Sequence, residues 1–152
     1  QVAVPPPAPY LKCIACGSLK EHLWVAKVDE PGKYTNATTG TDKYDGRKNT
    51  GGEANNRCQI KGAGWYLPSI GELEAIYKVS SFRSMFWKGS AYWSSTHYDG
   101  EVYGKKTDDY SYLYVFSGAP SNNWTRPGMT GNKKIQQHSV RCFWKPDTSQ
   151  VK

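Results

Sequence analysis

Apolar residues in this chain fall into short, separated groups, not long periodic runs. Leu23-Trp24-Val25-Ala26 predicts a strand entering the core. Ala91-Tyr92-Trp93-Ser94-Ser95-Thr96 and the closing Ser139-Val140-Arg141-Cys142-Phe143-Trp144 predict two more. From Tyr110 to Phe116 the pattern alternates, with Tyr110, Tyr112, Tyr114 and Phe116 on one face and Ser111, Leu113 and Val115 on the other. Apolar residues on both faces predict a strand covered on both sides.

Helical spacing is clearest over Ser69 to Val79, where Ile70, Leu73, Ile76 and Tyr77 share one face. Ser69 followed by Glu72 is a capping box, and Pro68 blocks extension backward. Ser81 to Lys88 predicts a second short helical turn. Between these segments lie turn-rich Asp29 to Thr41 and two long polar stretches, Asp42 to Asn56 and Ser117 to Gly131. Structureless connections of that length are either functional or pinned by their neighbours. There is no internal repeat.

Composition narrows the class. The chain has 152 residues, room for one ordinary domain, and no apolar run long enough to span a membrane. Gly 15, Tyr 11 and Trp 6 favour turns and β segments over a helical bundle. We expect an α+β fold. Gln1 to Pro9 holds Pro5, Pro6, Pro7 and Pro9, which favour an extended spacer, so the chain divides into a linker over 1–9, one binding domain over 10–147 and a tail over 148–152. The start reads as a cut point inside a longer protein.

Four cysteines, an even number, point to disulfides and an oxidising compartment. Cys13-Ile14-Ala15-Cys16 has redox or half-zinc spacing, but Pro-rich sequence precedes it and Gly17-Ser18 follows where a redox centre needs a strand and a helix N-terminus, and Cys58 and Cys142 stand too far apart to complete a four-cysteine zinc site. Two structural disulfides, Cys13–Cys16 and Cys58–Cys142, are expected. The second closes a loop of about 85 residues and removes on the order of 4–5 kcal/mol of unfolded-state freedom.

The net charge of +7 favours anionic partners such as nucleic acid, acidic glycans or lipopolysaccharide. Nucleic acid is disfavoured because the best helix carries Glu72 and Glu74 against Lys78 alone. Thr41 to Gly52 fails as a calcium hand: with Gly46 as sixth residue, the first, third and twelfth positions are Thr41, Lys43 and Gly52. Asp99, Glu101, Asp108 and Asp109 cluster in sequence, as solvated acids or as an irregular calcium loop. No catalytic motif occurs; His97 lies among Ser94, Ser95 and Asp99, but a triad is defined by folded geometry and not by spacing. We expect no enzyme activity, no cofactor and no metal.

What remains is a set of aromatic, amide-rich loops. Thr96 to Tyr110 holds His97, Tyr98 and Tyr103, while Ser121 to Arg126 sets Trp124 beside Asn122 and Asn123. Flat aromatic faces next to amides and guanidinium suit sugars and also protein interfaces. The candidate ligand residues are Tyr98, Tyr103 and Trp124 for stacking, Asn122 and Asn123 for hydroxyls, and Arg126, Lys133 and Lys134 for anionic groups.

Asp45-Gly46-Arg47-Lys48-Asn49-Thr50, then Cys58, Gly64-Trp65-Tyr66-Leu67-Pro68-Ser69-Ile70-Gly71-Glu72-Leu73, Tyr92-Trp93-Ser94-Ser95-Thr96 and Ser139-Val140-Arg141-Cys142 together resemble the Lcl C-terminal domain family, over about residues 23–144. The resemblance implies a C-type-lectin-like fold, with helices flanking small antiparallel sheets, long loops on one side, and Trp65, Leu67 and Trp93 in the core. The basic, Tyr-rich chain is also similar to the variable C-terminal heads of thin-pilus tip adhesins of the PilV type, which select recipient cells by lipopolysaccharide. The calcium–sugar triplets of true C-type lectins, Glu-Pro-Asn or Gln-Pro-Asp, do not occur. The resemblance implies a head outside the cell, on the surface or at a pilus tip. Its partners would be a target-cell glycan such as lipopolysaccharide and an upstream stalk or pilus subunit through which homo-oligomers form. The rival reading is an assembly module that packs the same surface on a neighbouring subunit.

Overall fold

A computed structural model describes residues 10–13, 23–36, 40–87, 90–116 and 128–145. The fold is α+β. Strands β1 (Tyr10–Cys13), β2 (Leu23–Ala26), β3 (Trp65–Tyr66) and β9 (Phe143–Trp144) form one antiparallel sheet in the order β1-β2-β9-β3. Strands β4 (Ser90–His97), β7 (Tyr110–Phe116) and β8 (Gly128–Lys133) form a second, in the order β4-β7-β8. A separate hairpin pairs β5 (Glu101–Val102) with β6 (Lys105–Lys106). The helices are α1 (Glu53–Gln59), α2 (Ile70–Tyr77) and α3 (Ser80–Arg83). No helix among the described residues is long and apolar enough to cross a membrane.

Side-chain alternation along the strands builds two cores. Neighbouring residues of one strand point to opposite faces. Thus Leu23, Val25, Tyr66, Tyr92, Tyr114, Phe116 and Phe143 join Ile70, Leu73 and Ile76 of α2 in one cluster. Their neighbours Ala26, Trp65, Trp93, Leu113, Val115 and Trp144 join Ala54 and Cys58 of α1 in the other. Strand β7 lies between β4 and β8 and feeds both clusters, as its two apolar faces predict. Trp65, Leu67 and Trp93 are buried.

The strands expected at 23–26, 91–96 and 110–116 and the helix expected over 69–79 are present as β2, β4, β7 and α2, while of the strand expected over 139–144 only 143–144 is strand, as β9. Ser69 accepts from the Glu72 N–H, and the Glu72 carboxylate accepts from the Ser69 N–H. The two long stretches differ from expectation. Asp42 to Asn56 contains a 3-10 turn at Gly46–Lys48 and most of α1's first turns, and residues 128–133 form β8, so Lys133 sits in a strand and not in a loop.

Buried asparagines pin the first stretch. Asn49 accepts from the Asp42 N–H and donates to the Asp42 carbonyl and Ser95 Oγ. Asn55 donates to the Asn49 carbonyl and accepts from the Leu67 N–H, and Asn36 donates to the Ser94 carbonyl. Each amide satisfies backbone groups that no ladder reaches, which is what holds an irregular segment in the interior.

Cys58 and Cys142 form a disulfide with Cα atoms 5.4 Å apart, joining α1 to the segment entering β9. The expected Cys13–Cys16 bridge lies outside the described side chains, as do the linker over 1–9 and the tail over 148–152.

Candidate functional site: the 97–108 hairpin and its cavity

The segment after β4 turns away from the sheet and folds back as the β5–β6 hairpin. Its two-residue turn is Tyr103-Gly104, with φ of 52° and 78°. Positive φ at both central residues is the type I′ geometry that suits the twist of paired strands, and it favours Asn-Gly or Gly-Gly. Tyrosine disfavours it, because a bulky side chain in the left-handed region clashes with its own backbone. Tyr103 nevertheless holds this position, and its side chain is 98% exposed. Among the described residues no packing explains a tyrosine there.

The segments that flank the hairpin, with Lys106 of β6, line a cavity of about 340 Å3: His97, Tyr98, Asp99, Lys106, Thr107 and Asp108. Asp99 is the hub of its polar wall. Lys43 Nζ reaches Asp99 Oδ2 at 2.6 Å from the 40–48 loop, and the Tyr112 hydroxyl donates to Asp99 Oδ1. Lys43 and Tyr112 together hold the Asp99 carboxyl below its ordinary range. Burial and the same Asp99 raise the Tyr112 phenol, so it stays protonated as a donor. Lys106 Nζ donates to the Asp99 carbonyl.

Tyr98 forms the aromatic wall. Its ring meets Tyr112 edge-on with centroids 4.9 Å apart and lies 6.2 Å from Tyr110. Its far side presses on Gly131 of β8, where a Cβ would come within 2.6 Å of the ring. Only glycine leaves room there. Lys133 pairs with Tyr110 across the ladder, and the Lys134 N–H donates to the Asp109 carbonyl at 2.7 Å. Burial lowers the Lys134 ammonium despite the nearby Asp108 and Asp109. The fold therefore brings Tyr98, Lys133 and Lys134 together around Tyr110, with Tyr103 on the projecting hairpin.

Asn122, Asn123, Trp124 and Arg126 lie outside the described residues. Lys43, Lys106 and Thr107 are the contributors that sequence reasoning missed. Lys106 and Thr107 fall inside the 96–110 loop already singled out; Lys43 comes from a distant loop and carries no local signal.

Among the clustered acids, Glu101, Asp108 and Asp109 are exposed. Asp99 is engaged by Lys43 and Tyr112, and among the described residues no three or more His, Cys, Asp or Glu side chains converge as metal ligands. Ser94 is buried and donates to the Tyr112 carbonyl, while Ser95 is buried and accepts from Asn49. His97 instead has Asp108 at 3.8 Å. The chain matches no family model, no curated protein and no solved structure.

Proposed function

We propose that this domain is a lectin-like binding head, and specifically the glycan-recognising end of a bacterial surface or pilus-tip adhesin that takes lipopolysaccharide or another anionic saccharide outside the cell. One observation carries the reading: Tyr103 occupies the left-handed turn position where asparagine is favoured and holds its ring almost fully exposed, on a hairpin whose Lys106 lines a cavity. A residue placed against local propensity with no packing gain marks a functional position. The ring offers a flat apolar face for sugar C–H groups. Lys105 and Lys106 on the returning strand are exposed and flank it, which suits phosphate or carboxylate groups. The disulfide supports an oxidising location.

A glycan array combined with sedimentation of the free protein tests this. Binding to anionic glycans by a non-associating protein is the expected result. Self-association without glycan binding overturns the reading and favours the assembly module.

A further inference from the structure

A second cavity, of about 330 Å3, opens between the 3-10 turn, the end of α1 and β3, and is lined by Asp45, Arg47, Lys48, Gln59, Gly64, Trp65 and Tyr66. Its size falls at the small end of the range of about 300–1,000 Å3 typical of small-molecule sites. Its Asp45 and Arg47 side chains are fixed on each other. Asp45 caps the 3-10 turn by accepting from the Arg47 N–H, and it also accepts from Arg47 Nε at 3.0 Å and Nη2 at 2.8 Å. Behind it, Lys145 Nζ lies 3.9 Å from Asp45 Oδ1 and 2.8 Å from Glu72 Oε2. At the rim, Lys48 Nζ lies 3.8 Å from Asp42 Oδ2.

The charges balance. Arg47, Lys48 and Lys145 face Asp45, Asp42 and Glu72. A site with matched charges gives a free anion or cation little net attraction. It does offer a carboxylate acceptor, cationic donors and the Gln59 amide side by side, which is the inventory that pairs with neighbouring hydroxyls. Trp65 and Tyr66 supply the apolar wall. The loop carrying Asp45 and Arg47 also sends Lys43 to Asp99 in the hairpin cavity, so one short segment contributes to both.

We infer that this second cavity binds a neutral pyranose through an adjacent pair of its hydroxyls, with Asp45 as acceptor and Arg47 and Gln59 as donors. The inference deepens the glycan reading by giving the head two sugar sites of different charge.

Saturation-transfer NMR with D-glucose, D-galactose, D-mannose and N-acetylglucosamine tests it on the full chain. At least one of these is expected to receive saturation. Gln59 is exposed at the end of α1, so Gln59→Trp fills the cavity without disturbing the core. Binding should weaken at least about tenfold in Gln59→Trp, which fills the site, and in Asp45→Asn, which loses one charge-assisted hydrogen bond. It should persist in Tyr103→Asn, whose effect belongs to the hairpin. No saturation with any of the four sugars, or unchanged binding by Gln59→Trp that melts like the parent, overturns the inference. Loss in Tyr103→Asn alone places the sugar at the hairpin and overturns it too. Lipopolysaccharide binding, read separately with Tyr103→Asn, tests the first reading independently.

Discussion

Lys145 Nζ and Glu72 Oε2 meet at 2.8 Å in the interior, where both side chains are almost wholly removed from solvent. The pair links the residue after β9 to the first turn of α2. Glu72 also accepts from the Gly46 N–H, the Ser69 N–H and the Tyr66 hydroxyl. Burial and this carboxylate push the Tyr66 phenol well above its ordinary range, so it remains a donor. Removing one partner of such a pair leaves an uncompensated buried charge. Glu72→Gln and Lys145→Met should each cost about 3–5 kcal/mol in denaturant titrations. The double variant should recover part of that loss, and strict additivity would show that the two side chains do not interact.

The cap and the buried face of α2 separate by magnitude. Ser69→Ala should cost about 0.5–2 kcal/mol through the lost cap. Leu73 is fully buried, and Leu73→Ala should cost about 2–5 kcal/mol. Chemical denaturation of both variants checks the order; equal small losses would contradict the packing of α2.

Cys58 and Cys142 lie 84 residues apart in sequence. By chain-entropy reasoning, replacing both with serine should lower stability by on the order of 4–5 kcal/mol. Non-reducing peptide mapping should recover the Cys58–Cys142 pair from the folded protein, and reduction should lower the melting temperature of the parent by more than that of the double serine variant, which keeps Cys13 and Cys16.

Much of the frame was legible because its signals are local. Ser69, Glu72 and the spacing of Ile70, Leu73 and Ile76 define α2 without tertiary help, and the alternation over Tyr110 to Phe116 defines β7 with both its faces. Helix α1 was not legible. Glu53-Ala54-Asn55-Asn56-Arg57-Cys58-Gln59 has two apolar residues and follows two glycines, and its helix is held by the disulfide and the buried Asn55 amide, both long-range ties. Strand β8 carries glycine at both Gly128 and Gly131, a composition that reads as loop; the second glycine is there because Tyr98 lies on it. Of the candidate site, the aromatic residues of the hairpin were visible as exposed-type side chains in a loop. The second cavity was not, since Asp45, Gln59 and Trp65 converge only through the fold.

His138 sets an acid limit on stability. Its ring packs edge-on against Trp93 with centroids 4.9 Å apart, and Nε2 lies 3.1 Å from Asn132 Oδ1. Burial, with help from Lys33, lowers its pKa from 6.5 to about 4. Between those values the unfolded chain binds the proton and the folded protein does not, so stability falls as the pH drops through this window. Thermal melts from pH 7 to pH 4 should show a decline that is shallower in His138→Gln. Identical pH profiles for the two proteins would contradict the buried, neutral imidazole.

The exposed ring of Tyr103 and the lysines beside it should respond differently to salt. Screening shortens the reach of surface charges from about 10 Å at 0.1 M to about 3 Å at 1 M salt. Replacing Lys105 and Lys106 with alanine should therefore weaken lipopolysaccharide binding chiefly at low ionic strength. Loss of the ring should be felt at every ionic strength.

Tyr103→Asn is the most direct test of the hairpin as a binding element. Asparagine tolerates the left-handed turn better than tyrosine, so the variant should recover part of the roughly 1–2 kcal/mol that this region costs a residue with a Cβ. Titration of purified lipopolysaccharide with the parent and this variant, alongside their melting temperatures, is the decisive measurement. A variant that melts higher and binds at least about tenfold more weakly, the worth of a stacking contact, is the predicted result. A variant that binds lipopolysaccharide as tightly as the parent contradicts the account.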